Sequence, residues 1–239
     1  MLRIHFVLRA ALIAVIAALS LTSASKSTFS MHEKAFYADA SVVQFVRPGL
    51  ALKVIGAQIA SDGTVTATVS ATDSQGVPLD RTGLTTPGAV SISLILATIP
   101  KGQTQYTAYT TRTQKSTING NSAIQGSADT GGTFTQNADG TYLYKFGTRA
   151  TGFDPTATHT IGIYGSRNLT DFGLGTNFAS STFNFVPNGA AVTVTRDVVR
   201  TAACNNCHDS LAFHGGSRKG VELCVLCHNP QSTDPDTGN

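Results

Sequence analysis

Two copies of Cys-x-x-Cys-His stand near the end of the chain, Cys204-Asn205-Asn206-Cys207-His208 and Cys224-Val225-Leu226-Cys227-His228, and they use all four cysteines. No feature constrains the fold more. Residues 201–239 hold too few apolar side chains for a core of their own, and a segment of about 40 residues needs a metal, disulfides or a partner to fold around. The spacing suits covalent haem c. Two residues between the cysteines let one turn of chain present both sulfurs to the vinyl groups of one haem. The next histidine then lies under the iron and ligates it through a ring nitrogen. On this reading Cys204, Cys207, Cys224 and Cys227 attach two haems, and His208 and His228 ligate them. The haems are then the core of the tail, which is expected to be disordered without them.

Two other chemistries fit the same cysteines. Cys-x2-Cys, sixteen residues, then Cys-x2-Cys also satisfies a four-cysteine zinc ribbon, which leaves His208 and His228 as coincidences. Redox dithiols or disulfides would want the strand and helix setting of a thioredoxin-like unit, which the tail lacks.

The N-terminus favours haem. Arg3 and Arg9 give a positive start, residues 10–21 are an uncharged apolar run, and Thr22-Ser23-Ala24-Ser25 offers small residues for cleavage. That is the layout of a secretory signal peptide over residues 1–24. The run is shorter than the ~20 residues that span a bilayer. Haem c is attached outside the bacterial inner membrane, so it requires export. No cysteine near the cleavage region provides for a lipid anchor. The expected location is therefore exported: the outer-membrane surface, the extracellular space or the periplasm.

After a linker or first strand over residues 25–49, residues 50–195 read as all-β. Period-2 alternation recurs between turn signals. Residues 64–71 are the clearest case, with Val65, Ala67 and Val69 on one face and Thr64, Thr66, Thr68 and Ser70 on the other. Further strands are expected at 52–59, 89–99, 104–111, 133–136, 141–146, 159–165, 181–186 and 191–195. The apolar run 89–99 has the character of a central strand. Residues 115–132, polar and rich in glycine, read as a long mobile loop. The fold class is mainly β: an N-terminal Greek-key β-sandwich or barrel, then an irregular, haem-dependent c-type cytochrome segment over residues 196–239.

A six-coordinate haem iron needs a second axial ligand. His214 lies between the motifs, and Gly215 and Gly216 let the backbone pass close to a porphyrin. It is the candidate distal ligand, for which haem the spacing does not say. His159 shares a strand face with Ile161 and Ile163 and reads as structural. His32 lies in a poorly patterned stretch. Only Met1 and Met31 exist, so methionine is not the expected axial ligand; bis-histidine ligation, where it occurs, implies a low potential.

At this point the tail resembles a known family. The run Arg196-x-Val198-Val199, then Cys204-x-x-Cys207-His208, Leu211-x-x-His214-Gly215-Gly216-x-Arg218 and Cys224-x-x-Cys227-His228-Asn229-Pro230, is similar to the decahaem outer-membrane c-type cytochromes of the OmcA/MtrC family. The resemblance implies a split β-barrel before a multihaem segment, bis-histidine haems, and His214 in the place of a distal ligand. It also implies extracellular electron transfer to metal oxides, soluble metal complexes or flavin-type shuttles. Implied partners are other multihaem cytochromes or an outer-membrane electron conduit. The family carries about ten haem motifs; this chain reads as truncated after the second.

The expected function is electron transfer between haems to an extracellular or periplasmic acceptor. No catalytic acid, base or nucleophile is identifiable, so metal reduction would happen at a haem edge. Charged residues are 13% of the chain, the net charge is +3, and no basic run occurs, which argues against a nucleic-acid partner. The competing readings are a secreted immunoglobulin-like binding or adhesion module with a zinc-stapled tail, and a haem enzyme with an open iron.

Overall fold

The computed structural model describes residues 29–238, so the expected signal peptide lies outside the described residues. The chain divides into two compact units, Met1–Ala38 and Asp39–Asn239. The described part of the first holds one short 3-10 turn, Lys34–Phe36. Ser30 N donates to Glu33 Oε2 there at 2.8 Å. Among the described residues no helix is long and apolar enough to cross a membrane.

The second unit opens with helix α1 (Ala40–Val46), where a linker or first strand was expected. Asp39 starts it by accepting from Ser41 N at 2.7 Å, which satisfies one of the orphan amides of a first turn. Arg47 ends it in the left-handed region, φ 49°.

Strands follow as β1 (Ala51–Ile59), β2 (Val65–Thr72), β3 (Val90–Ile99), β4 (Thr107–Ala108), β5 (Thr111–Lys115), β6 (Ser122–Gly126), β7 (Thr133–Gln136), β8 (Tyr142–Lys145), β9 (Thr158–Leu169) and β10 (Gly175–Phe185). Eight of them form two four-stranded sheets, ordered β1-β2-β8-β7 and β10-β9-β3-β4, and β5 and β6 pair with each other. Every pairing is antiparallel. The sheets face each other across a core in which Leu52, Val65, Ala67 and Val69 of one meet Leu94, Leu96, Ile161 and Ile163 of the other. Ser181 Oγ of β10 donates to the Leu52 carbonyl of β1 at 2.8 Å, joining the sheets along one edge. The molecule is mainly β, as its alternation requires.

Three segments depart from expectation. Residues 104–111 are not one strand: only Thr107–Ala108 pairs with β3, and the chain then turns into β5. Residues 115–132 are not a long loop. Strands β5 and β6 form a hairpin with register Thr111↔Gly126 to Lys115↔Ser122, and Ser116 Oγ closes its turn by accepting from Ile118 N and Asn119 N. Residues 191–195 form no strand, and Val194 is exposed.

The tail supplies two short helices, α2 (Thr201–Cys204) and α3 (Val221–Cys227), and a two-residue pair β11 (Ala212–Phe213) and β12 (Arg218–Lys219). It is not without a core. Leu223 and Leu226 of α3 are buried against Ile95, Ala97 and Tyr164 on the outer face of the second sheet. This explains the continuous apolar run of β3. Leu94 and Leu96 face the other sheet, while Ile95 and Ala97 face α3. Gly162 of β9 leaves the space; a Cβ there would lie 2.5 Å from Leu226 Cδ1 and 2.6 Å from Leu223 Cδ1.

Arg167 of β9 is fully buried. Its guanidinium donates to the carbonyls of Val46 at 2.8 Å, Arg47 at 2.7 Å, Gly49 at 3.1 Å and Pro87 at 2.7 Å. It thereby ties the end of α1 to the sandwich. Arg167→Met is expected to leave these carbonyls short of donors at a cost of about 3 kcal/mol. In a chain of this size that lowers Tm by roughly 10 °C, read by thermal unfolding. Arg167→Lys should recover only part, because an ammonium cannot match the fork of donors.

Candidate functional site

Helix α3 presents neighbouring faces to different surroundings. Leu223 and Leu226 turn into the sheet, and Cys224 and Cys227, three residues apart, line a cavity of about 680 Å³. Helical spacing puts residues i and i+3 on one face, which is what two sulfurs bound for one ligand require. The helix is anchored at its start. Val221 N donates to Thr201 Oγ1 at 2.8 Å, and the Glu222 carboxylate accepts from Thr201 N at 3.0 Å and from Thr201 Oγ1. His228 follows the last turn directly, its N–H donating to the Cys224 carbonyl at 2.9 Å.

The opposite wall comes from the turn between β11 and β12. His214, Gly215 and Gly216 take φ of 53°, 70° and 86°, a left-handed run that glycine accepts without strain and histidine does not favour. Ser217 Oγ holds the turn by donating to the His214 carbonyl at 2.8 Å. The outcome is that the His214 and His228 rings face each other with centroids 6.4 Å apart and planes tilted by 31°. Both rings line the cavity.

The remaining walls belong to the β-unit. Ile95 and Tyr164 provide an apolar floor, and the β5–β6 hairpin one side. Gly126 of β6 lies so close to α3 that a Cβ on it would sit 2.9 Å from Cys227 Cα. Gly126 N donates to Ser232 Oγ at 2.8 Å, and Gln125 Nε2 to the Thr233 carbonyl at 3.0 Å. The hairpin is thus pinned to the chain that follows the second motif. Burial pushes the Cys224 and Cys227 thiols up from the ordinary cysteine value, so the surroundings favour neutral sulfur. Burial also lowers the proton affinity of His214, and the nearby Arg218, His228 and Arg112 add to that effect.

The first motif sits elsewhere. Helix α2 is a single turn, and the N–H groups of Cys207 and His208 both donate to the Cys204 carbonyl at 3.1 Å. Cys207 and His208 are exposed and do not line the cavity. Among the described residues no three His, Cys, Asp or Glu side chains gather as a metal-binding group. The four cysteines therefore do not surround a single ion, as a zinc ribbon requires. None of them is in a disulfide.

Of the histidines between and before the motifs, His214 reaches the site. His159 does not: it is fully buried, with Nδ1 3.0 Å from the Ala157 carbonyl and Nε2 3.1 Å from the Tyr109 hydroxyl. Arg112, Gly126 and Tyr164 were invisible as site residues in the sequence, because strand pairing and helix docking bring them there; Arg218 stood in the resembling run without a role.

The donor set fits a haem attached at the second motif. A metal–imidazole bond of about 2 Å on each side, plus about 1 Å from nitrogen to ring centre, places two rings that share one ion about 6 Å apart. The cavity also has the size of a small-molecule site, with an apolar floor and polar groups around it.

Residues 196–239 match the family model described as outer membrane cytochrome MtrC/MtrF-like, domains II/IV. The multiheme cytochrome MtrC of Shewanella baltica (strain OS185) is 48% identical over 42 residues, 17% of this chain and 6% of that protein. Among solved structures, the outer membrane decaheme cytochrome OmcA matches 80% of this chain and 31% of its own, with a TM-score of 0.61 and 24% identity. MtrC from Shewanella baltica OS185 matches 77% of this chain and 30% of its own, with a TM-score of 0.57 and 22% identity. The likeness in structure is one of fold, and this chain spans under a third of either solved relative.

Proposed function

We propose, from the match of residues 196–239 to the outer membrane cytochrome MtrC/MtrF-like family model and the site they form, that this chain is an exported multihaem c-type cytochrome of the OmcA/MtrC kind that passes electrons between haems to an acceptor outside the cell. Cys224 and Cys227 would attach one haem, and His228 and His214 would ligate its iron. Cys204, Cys207 and His208 would hold the other haem, that of the first motif, on the exposed turn. Each haem supplies a one-electron redox couple. The protein fixes its orientation, its ligands and its access to water. The observation that carries this reading is the pair of rings, His214 and His228, with centroids 6.4 Å apart in the cavity that Cys224 and Cys227 of one helix also line.

The β-unit supports the second haem site directly through Ile95, Tyr164 and the β5–β6 hairpin. The motif sits on the outer face of the sandwich, which suits electron exchange with other cytochromes of an outer-membrane conduit. Metal oxides, metal complexes and flavin-type shuttles are the acceptors this reading favours. The test is stopped-flow oxidation of the chemically reduced, haem-loaded protein by a soluble ferric complex without oxygen. Rapid single-electron oxidation of both haems, first order in the ferric complex, is expected. Haems that stay reduced in its presence would defeat the proposal.

A further inference from the structure

The cavity of the second motif carries two cations that the axial and thioether ligands leave unused. Arg218 of β12 and Arg112 of β5 both line it. Arg218 Nη2 donates to the Tyr164 hydroxyl at 3.1 Å, and its guanidinium carbon lies 4.8 Å from the centre of that ring. Arg112 Nη2 donates to Gln125 Oε1 at 3.2 Å. These partners are neutral, and among the described residues neither arginine is in an ion pair. One carboxylate, Asp234, also lines the cavity. Its own segment occupies it: Asp236 N donates to it at 3.2 Å and Thr237 Oγ1 at 2.9 Å.

Arg218 is half-buried and Arg112 stands exposed at the cavity mouth; a cation partly withdrawn from water gains from an anion that joins it, and a second cation at the rim adds to the attraction. The ligand whose attachment points are already in this cavity brings two anions. Once cysteines have consumed the vinyl groups, the ionised groups left on a haem c are its two propionate carboxylates. Guanidinium binds carboxylate through two parallel hydrogen bonds, a geometry lysine does not offer. Resting on the reading that the second motif holds a haem here, we propose that Arg112 and Arg218 bind the propionate carboxylates of that haem. Arg218 comes from the tail, but Arg112 comes from the hairpin of the β-unit. The β-unit is therefore a part of the haem site that sets its electrostatics as well as a platform. Positive charge beside the ring favours the reduced state, so the pair holds the potential of this haem up.

The experiment uses the full chain, matured in a host that attaches haem c. Intact mass, the visible spectrum and spectroelectrochemical titration are compared for wild type, Arg112→Gln, Arg218→Gln and the double variant. With two low-spin haems retained, one potential is expected to fall in each single variant and further in the double variant, while the other stays put. Arg112→Lys and Arg218→Lys keep the charge and should stay near wild type. Arg149→Gln, at an exposed ion pair with Asp62, should move neither potential. Unchanged potentials in the double variant would overturn the assignment, as would an equal fall in Arg149→Gln. Should the double variant lose the second haem, the lysine variants decide. Retention there at near wild-type potential sustains the pairing; loss there too removes charge as the cause. A wild-type mass without haem on the second motif would instead sink the proposed function, and this inference with it.

Discussion

Replacing His214 with alanine is expected to turn one of the two haems from low-spin to high-spin and to leave the other unchanged. The facing rings of His214 and His228 are spaced as two ligands of one iron. Removing one opens a coordination position on that iron alone. The visible spectrum of the oxidised protein should show about half the haem changed. Added imidazole should reverse the change by taking the vacated place. The fold should survive, because His214 is exposed and its turn is held through the backbone and Ser217. A variant whose spectrum matches wild type would show that His214 is not a ligand.

The second large effect concerns how the tail is held. Leu226 is fully buried between α3 and the outer face of the second sheet. Leu226→Asp puts a carboxylate where no partner waits. Losing the leucine costs at least about 3 kcal/mol, and the charge adds a desolvation penalty that forces the segment out. Residues 196–238 should then exchange amide hydrogens faster by on the order of 100-fold or more, while β3 and β9 keep their protection. Hydrogen exchange read by peptide mass checks this. Uniform acceleration throughout the sandwich would mean that the tail and the sheets unfold as one unit.

The parts of this molecule that were legible in the sequence are those where one residue reports one surface. The alternation of Val65, Ala67, Val69 and Ala71 fixed β2 and its buried face. The repeated Cys-x-x-Cys-His located the chemistry. The run of β3 was legible as a buried strand, but its cause was not. Ile95 and Ala97 are covered by a helix that lies more than a hundred residues later. The same reasoning explains the failure at residues 115–132. Serine, threonine, asparagine and glycine signal a loop, yet they form a hairpin whose contacts run to Ser232, Thr233 and Asp236. The hairpin lies against the tail, so its own sequence carries little apolar alternation. Arg167 was hidden for a related reason. Its partners are backbone carbonyls up to 121 residues away, and a carbonyl has no letter in a sequence. The expectation of a tail without a core counted its apolar residues correctly. It missed that two leucines suffice when a sheet offers them a face.

The central claim is that both motifs carry haem and that the second haem is clasped between His228 and His214. The most direct measurement is intact mass, with peptide mapping of the attachment sites, on protein produced with haem c maturation, beside its reduced visible spectrum. Two covalent haems, one on Cys204 and Cys207 and one on Cys224 and Cys227, with a low-spin spectrum at the second, are the result this account requires. A polypeptide mass without haem, accompanied by stoichiometric zinc, would contradict it.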